Sequence, residues 1–369
     1  MKNIRIGIIG LGAMGRSHVR NILEKKIPGL KLTAVTDVVA TQAALFPKIK
    51  FFPTPQKMIA SGTVDAVLIA TPHFSHTTIG IAALKAGLHV MVEKPISVHK
   101  RDAQRLIAAH KKPKQVFAAM FNQRTDPYYI AIRKMVRDGT LGPIRRINWI
   151  ITNWFRTDAY YASGSWRATW QGEGGGILLN QCPHNLDLFS WMFGQPQRVR
   201  AFCGFGRYHD IEVEDDVTAY MEYDDGTTAS FVTTTGEAPG TNRLEVAAEN
   251  GRLVMESDRL VFTRNVVPMS EFSRTSENGF AAPKITEKII PLSGHGEQHV
   301  AILQNFVEAI REGKPLIAPA AEGLFSVELA NAMLLSAFKN RTIDLPLDGR
   351  VYEKVLERKI ATSSRSKKK

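Results

Sequence analysis

Two rhythms of apolar and polar positions divide the chain near residue 121. Before that point, short and continuously apolar runs (RIGIIG, KLTAVTD, VDAVLIAT, HVMVEK and VFAAMF) alternate with stretches of helical periodicity at 13–25, 75–86 and 99–111. A strand with no polar alternation is one buried on both faces, as parallel strands are. The alternation therefore predicts an α/β architecture, a doubly wound parallel sheet with helices on both sides. After a helix at 126–138 the pattern changes. RRINWIITNWF, RVRAFCGFGRY, VTAYMEYDD, TTASFVTTT, RLEVAAENG and RLVMES follow at short intervals, with hairpin signals at Asp225-Gly226 and Asn250-Gly251. This half is expected to be an α+β domain with a large, mostly antiparallel sheet. A helix carrying His184 falls between its first two strands, and helices near 297–312 and 321–339 close the chain. The triplet Thr233-Thr234-Thr235 reads as an edge of that sheet.

These rhythms give a first domain at 1–121, a second at 122–360 and a basic tail, TSSRSKKK, in 361–369 that is expected to be disordered. The length of 369 residues suits two domains. With 44% hydrophobic and 22% charged residues the composition is that of a globular protein, and no wholly apolar run of membrane-spanning length stands out. The N-terminus runs directly into a strand, so no signal peptide is expected. Cys182 and Cys203 form no metal or redox spacing and are expected to be reduced thiols of a cytoplasmic protein.

The net charge of +13 raises the question of nucleic acid. Its distribution argues against it: part lies in the tail, part on helical faces such as 99–115, with no interleaving of aromatic and basic residues. A basic surface serves equally to attract an anionic dinucleotide.

The chemistry points the same way. Gly10-Leu11-Gly12-Ala13-Met14-Gly15 follows the first strand and opens the first helix, the context in which GxGxxG cradles a pyrophosphate on a helix N-terminus. Asp37 ends the second strand, where a carboxylate holds a ribose 2′-hydroxyl and repels a 2′-phosphate. No arginine follows it, so NAD is expected in preference to NADP. Thr71, Pro72 and His76 follow another strand end and are expected to line the cofactor. The HGEQH stretch at 295–299 lacks the zinc-protease spacing, and no metal is expected.

The segments GIIGLGAMGRSH (7–18), IATPHFSH (69–76), AGLHVMVEKPIS (86–97), DGTLGPIRRI (138–147), GGGILLNQCPHNLDL (174–188) and EGLFSVELANAMLLS (322–336) together resemble the Gfo/Idh/MocA oxidoreductases, the group of glucose–fructose oxidoreductase and inositol dehydrogenase. The resemblance implies an NAD(P)-dependent enzyme interconverting a secondary hydroxyl and a ketone on a sugar, glycoside, anhydrosugar or cyclitol. It also implies an open C-terminal sheet used to form a homodimer or homotetramer. Lys94 of the EKP sequence and His184 inherit the catalytic positions, with Glu93 and Pro95 shaping the loop and Glu93 expected among the residues that hold the cofactor. A histidine can accept and return the hydroxyl proton near neutrality, and a nearby ammonium stabilises the developing alkoxide.

Asn180 stands where the family usually has aspartate. Three roles remain open for it at this stage: orienting His184 from one helical turn away, binding a substrate hydroxyl, or capping the helix ahead of Pro183. Arg124, Trp166, Arg167 and Asn180 are the candidate substrate residues. His73 stands where asparagine or proline is more usual in the family. Two alternatives come from other classes: elimination at a glycosidic bond with tightly held NAD oxidising transiently, and a non-catalytic dinucleotide-binding regulator.

Overall fold

A computed structural model describes residues 3–363. The first sheet contains β1 (Ile4–Ile9), β2 (Leu30–Thr36), β3 (Lys50–Phe52), β4 (Ala66–Ile69), β5 (His89–Val92) and β6 (Phe117–Ala119). All are parallel, in the order β3-β2-β1-β4-β5-β6. That is the Rossmann order, and its reversal between β1 and β4 opens a crevice at the strands' carboxyl ends. Helices α1 (Ala13–Leu23), α2 (Pro55–Ile59), α3 (His73–Lys85) and α4 (Lys100–Ala108) supply the crossovers. The short β3 and α2 went unread in the sequence, because three residues show no period.

The second sheet has nine strands: β7 (Ile144–Ile151), β8 (Arg198–Phe205), β9 (Glu214–Glu222), β10 (Thr228–Thr234), β11 (Asn242–Ala248), β12 (Gly251–Glu256), β13 (Arg259–Asn265), β14 (Ile285–Ile290) and β15 (Ile343–Asp344). Their order is β14-β13-β12-β11-β7-β10-β9-β8-β15. Every pairing is antiparallel except β7 with β10. The hairpin glycines Gly226 and Gly251 both take positive φ, 85° and 139°. The threonine triplet is not at an edge. β10 lies between β7 and β9, and Thr233 and Thr235 are fully buried.

The remaining helices are α5 (Pro127–Arg137), α6 (Asp158–Ala162), α7 (Pro183–Phe193), α8 (Met269–Thr275), α9 (Gln298–Glu312), α10 (Gly323–Lys339) and α11 (Gly349–Ala361). α5, α7 and α10 cover one face of the large sheet around a core that includes Trp149, Phe189 and Phe231, whose rings lie 6.1–6.5 Å apart. The other face leaves Ile150, Phe202 and Tyr220 exposed: Ile150 and Phe202 share one row of the sheet through Val232 and Thr218, and Tyr220 lies two residues along β9 from that row. Residues 320–339 have the length and mean hydropathy (1.2) of a spanning helix, yet 67% of that window is buried inside the protein.

Two expected boundaries shift. α9 and the segment after it return to the first domain: Ile302, Leu303, Phe306 and Ala318 join its core, and Ala119 N–H donates to Ala318 O at 3.0 Å. Residues 122–360 are thus not one spatial unit. Residues 361–363 do not belong to a disordered tail, since α11 runs to Ala361 and Ser363 is buried against Glu212, its hydroxyl 2.5 Å from Oε1. The basic residues Arg365 and Lys367 to Lys369 lie outside the described residues.

Candidate active site

The nucleotide turn is built by close approach. Gly10 has φ +95°, and a Cβ there would meet the Ala70 carbonyl at 2.6 Å. A Cβ on Gly15 would lie 1.8 Å from Gly10 O, so the helix packs directly on the turn. Gly12 is different: it is exposed, with nothing within 4 Å of where its Cβ would be. It caps α1 with no side-chain acceptor, leaving the first-turn N–H groups of Ala13 and Met14 unclaimed by any cap at the helix's positive end. Asp37 is pinned beside the turn, Oδ2 accepting from Leu11 N–H at 2.6 Å and Oδ1 from Val39 N–H at 2.8 Å. Across the crevice, Thr71 Oγ1 is buried with no partner. Free helix-end donors, an open glycine, a carboxylate and an orphaned hydroxyl fit a dinucleotide.

His76 is placed otherwise than expected. Both its ring nitrogens face main-chain carbonyls, Pro95 O and Thr71 O, each at 2.8 Å. The ring clamps the β4 end to the Lys94 loop instead of turning toward a cofactor. Pro72 is the exposed residue preceding α3.

Glu93, just past β5, is buried, with His18 Nε2 donating to its Oε1 at 2.6 Å. Burial pushes this carboxyl up, but the His18 bond and charge outweigh it and hold it at about 2. His299, from the first turn of α9, meets the His18 ring edge-on at 5.5 Å. Lys94 follows, joined to Pro95 by a cis bond, and its Nζ donates to the Asn180 main-chain carbonyl at 2.7 Å. Burial lowers the Lys94 pKa, while Glu93, Glu173 and Cys182 oppose that and Arg156 adds to it.

The triple glycine shapes the next segment. Glu214 accepts from Gly176 N–H at 2.8 Å and Leu178 N–H at 3.1 Å, and a Cβ on Gly176 would lie 1.9 Å from its carbonyl. Burial raises the Glu214 carboxyl to about 7. Held in these turns, the chain becomes helical only at Pro183, which takes the first position of α7, with Cys182 at the cap. Asn180 is therefore neither the cap nor on a helical face shared with His184. Its Nδ2 donates to Glu173 Oε1, and its Oδ1 accepts from the Tyr160 hydroxyl at 3.3 Å. No hydrogen bond joins Asn180 to His184 among the described residues. His184 Nδ1 is buried without a partner, and burial, then the Lys94 charge, push its pKa well below 6.5. Both effects favour the neutral form of the ring.

Tyr160 gathers the neighbouring groups. Its oxygen accepts from Arg167 Nη1 at 3.0 Å, and the Arg167 guanidinium lies 4.5 Å from both the Tyr160 and Trp166 rings. Trp166 contacts His73 edge-on, and burial, with neighbouring positive charge, drops the His73 pKa to about 3. Arg124 departs from the expectation of a pocket residue. It is buried, grips Asp187 through Nε (2.8 Å) and Nη2 (2.7 Å), and extends Nη1 to Ile317 O (3.1 Å) and Glu322. Asp187 lies one turn beyond His184 on α7, so Arg124 braces that helix. Glu173, Glu214, His18 and Tyr160 were not claimed as site residues from the sequence, and His299 was met only as the last residue of the HGEQH stretch. His18, inside the resembling GIIGLGAMGRSH segment, carried a signal that could have marked it.

A parallel Rossmann sheet with this turn, backed by a lysine and a neutral histidine at its carboxyl edge, defines a nicotinamide-dinucleotide oxidoreductase. Residues 4–121 match the oxidoreductase family with an NAD-binding Rossmann fold, and 129–254 match the Gfo/Idh/MocA C-terminal domain, together about two thirds of the chain. The chain belongs to the Gfo/Idh/MocA family, with NAD as its cofactor. It is 25% identical to levoglucosan dehydrogenase of Pseudarthrobacter phenanthrenivorans, over 94% of this chain and 99% of that one. It is likewise 25% identical to inositol 2-dehydrogenase 2 of Paenarthrobacter aurescens, over 92% and 97%. Among solved structures, the WlbA dehydrogenase of Chromobacterium violaceum, in complex with NADH and UDP-GlcNAcA, superposes with a TM-score of 0.80 at 26% identity, covering 94% of this chain and 97% of that one.

Proposed function

We propose that this enzyme reversibly oxidises a secondary hydroxyl on a polyhydroxylated ring of the sugar, glycoside, anhydrosugar or cyclitol class. The observation that carries the reading is the pairing of an unpartnered, neutral His184 with the Lys94 ammonium at the carboxyl edge of the Rossmann sheet. His184 takes the hydroxyl proton, and Lys94 stabilises the negative charge that develops on that oxygen. Bound NAD supplies the hydride acceptor. The glycine turn, the α1 N-terminus and Asp37 would hold it, and Asp37 favours NAD over NADP.

The names of the levoglucosan and inositol relatives support a ring polyol as substrate. Tyr160, Trp166, Arg167 and Asn180 offer aromatic faces and hydrogen-bonding groups to such a ring. A polar cavity of about 510 Å³ is bordered by Trp154 and by Asn185, which follows His184 on α7. The exposed apolar positions on the open face of the large sheet suit a second copy of the chain.

A panel of sugars, anhydrosugars, glycosides and inositols with NAD and NADP tests the reading, with NADH formation as the readout. NADH accumulation with one chemical class supports it. Binding of NADH without reduction of NAD by any compound would overturn it, and bond cleavage without NADH accumulation would indicate transient oxidation instead.

A further inference from the structure

Asn180 presents a neutral amide at the centre of a site built around a half-buried lysine and a half-buried histidine. The nearest carboxylate lies one hydrogen bond away. Glu173 is 2% exposed, and both its oxygens accept: Oε2 from Ala168 N–H at 2.6 Å and Oε1 from Asn180 Nδ2. The amide cannot turn over without facing its oxygen to that carboxylate and its NH₂ to the Tyr160 hydroxyl, whose oxygen already receives Arg167. On its other side Asn180 receives Lys94 Nζ through its main-chain carbonyl. Glu173, Asn180 and Lys94 thus form one connected line.

We infer that Glu173 is the positioning carboxylate of this site: acting through Asn180, it fixes the Lys94 ammonium in place and keeps it charged, which the Asn180 amide cannot do itself. The inference rests on the role proposed above for Lys94. A partly desolvated ammonium is helped by compensating charge, because desolvation favours its neutral form. The groups facing Lys94 are Glu93 from its own loop, Glu173 and the Cys182 thiol from the glycine segment, Arg156 from the loop after β7, His73 and His76 from α3, His184 from α7 and His299 from α9. Of the two carboxylates, Glu93 is already bonded to His18, while Glu173 alone is linked to the residue that holds Lys94 Nζ. The charge has in effect moved from position 180 to position 173, and the hydrogen-bonded amide transmits the alignment.

The test is a charge transposition. Lys94 is titrated by NMR in protein carrying ¹³Cε-lysine, its signal assigned with Lys94→Ala, a readout needing no substrate. Glu173→Gln should lower the Lys94 pKa by about one unit or more, since an opposite charge is removed. The alkaline limb of kcat/KM should fall with it. Asn180→Asp alone should set two carboxylates against each other and impair the site. The double variant Glu173→Gln/Asn180→Asp puts one carboxylate back beside Lys94 and should return its titration toward that of the parent, as should the charge-conserving Glu173→Asp. An unmoved Lys94 titration in Glu173→Gln, whatever happens to Tm, would reduce Glu173 to a bond for Ala168 and overturn the inference, as would a double variant no better than Glu173→Gln. If no compound in the panel is oxidised, the proposed reaction fails while the lysine titration still decides the role of Glu173.

Discussion

His18 Nε2 donates to Glu93 Oε1 over 2.6 Å with both side chains buried, tying the helix that begins at the nucleotide turn to the loop that carries Lys94. The same carboxylate accepts from the Lys94 main-chain N–H at 3.2 Å. The first helix and the Lys94 loop are therefore one mechanical unit, and the bond's loss should be felt in stability and, on the proposed role of Lys94, in catalysis.

Because the Glu93 carboxyl is held at about 2, below its ordinary 4.5, the ionised form stabilises the fold. That contribution is fully present above about pH 4.5 and is lost as pH falls toward about 2. Urea midpoints of the parent and Glu93→Gln from neutrality down to about pH 3 should show the parent ahead by about 1–3 kcal/mol at neutral pH, with the gap narrowing in acid. A gap independent of pH would assign the loss to packing.

Asp37→Ala should weaken NAD by roughly tenfold to a hundredfold, the worth of a charge-assisted hydrogen bond, and narrow the preference over NADP. The ratio of kcat/KM for the two cofactors measures this. Since Asp37 also anchors Leu11 N–H, some loss should fall on both cofactors, but an unchanged ratio would remove the carboxylate from ribose recognition.

Lys94→Ala and His184→Ala should each lower turnover by about 10²–10⁴-fold while leaving NADH affinity nearly intact. Fluorescence titration with NADH separates the two effects. A His184 variant with near-parental turnover would leave the buried ring a packing role.

Arg124→Met should act on stability, not on substrate KM. Removing the guanidinium strands Asp187 in a buried position, at a cost of about 3–5 kcal/mol. Denaturant unfolding reads that cost directly. A raised KM with unchanged stability would return Arg124 to the substrate pocket.

Much of the fold was legible because it depends on local period. Five of the six parallel strands, the glycine turn and the helices α1, α3, α4, α5, α9 and α10 all announce themselves through apolar spacing or a sterically required glycine. β3 and β15 were not legible, being short, and β14 was not, being exposed along nearly its whole length; β13, with buried Leu260 and Phe262 in alternation, carried a strand signal that went unread. Two expectations failed for a shared reason. Asn180 and His184 look like helical neighbours by spacing, and Arg124 looks like a ligand by its place after a parallel strand. Neither reading includes the partner that decides the case, Glu173 and Glu214 for the first and Asp187 for the second.

The sequence alone determined the layer order of the nucleotide domain, the glycine turn between β1 and α1, Asp37 at the end of β2, and the family through its EKP and GGG…H segments. Those features are short-range: a glycine is demanded by its own backbone angle or nearest neighbour, and a strand by its own burial. Only the tertiary structure decided what each polar side chain does. His76 clamps two carbonyls, Arg124 braces α7, and α9 crosses back to the first domain to set His299 against His18. A buried or half-buried polar group takes its role from the partner that satisfies it, and that partner lies far along the chain, 86 residues between Lys94 and Asn180 and 198 between Arg124 and Glu322.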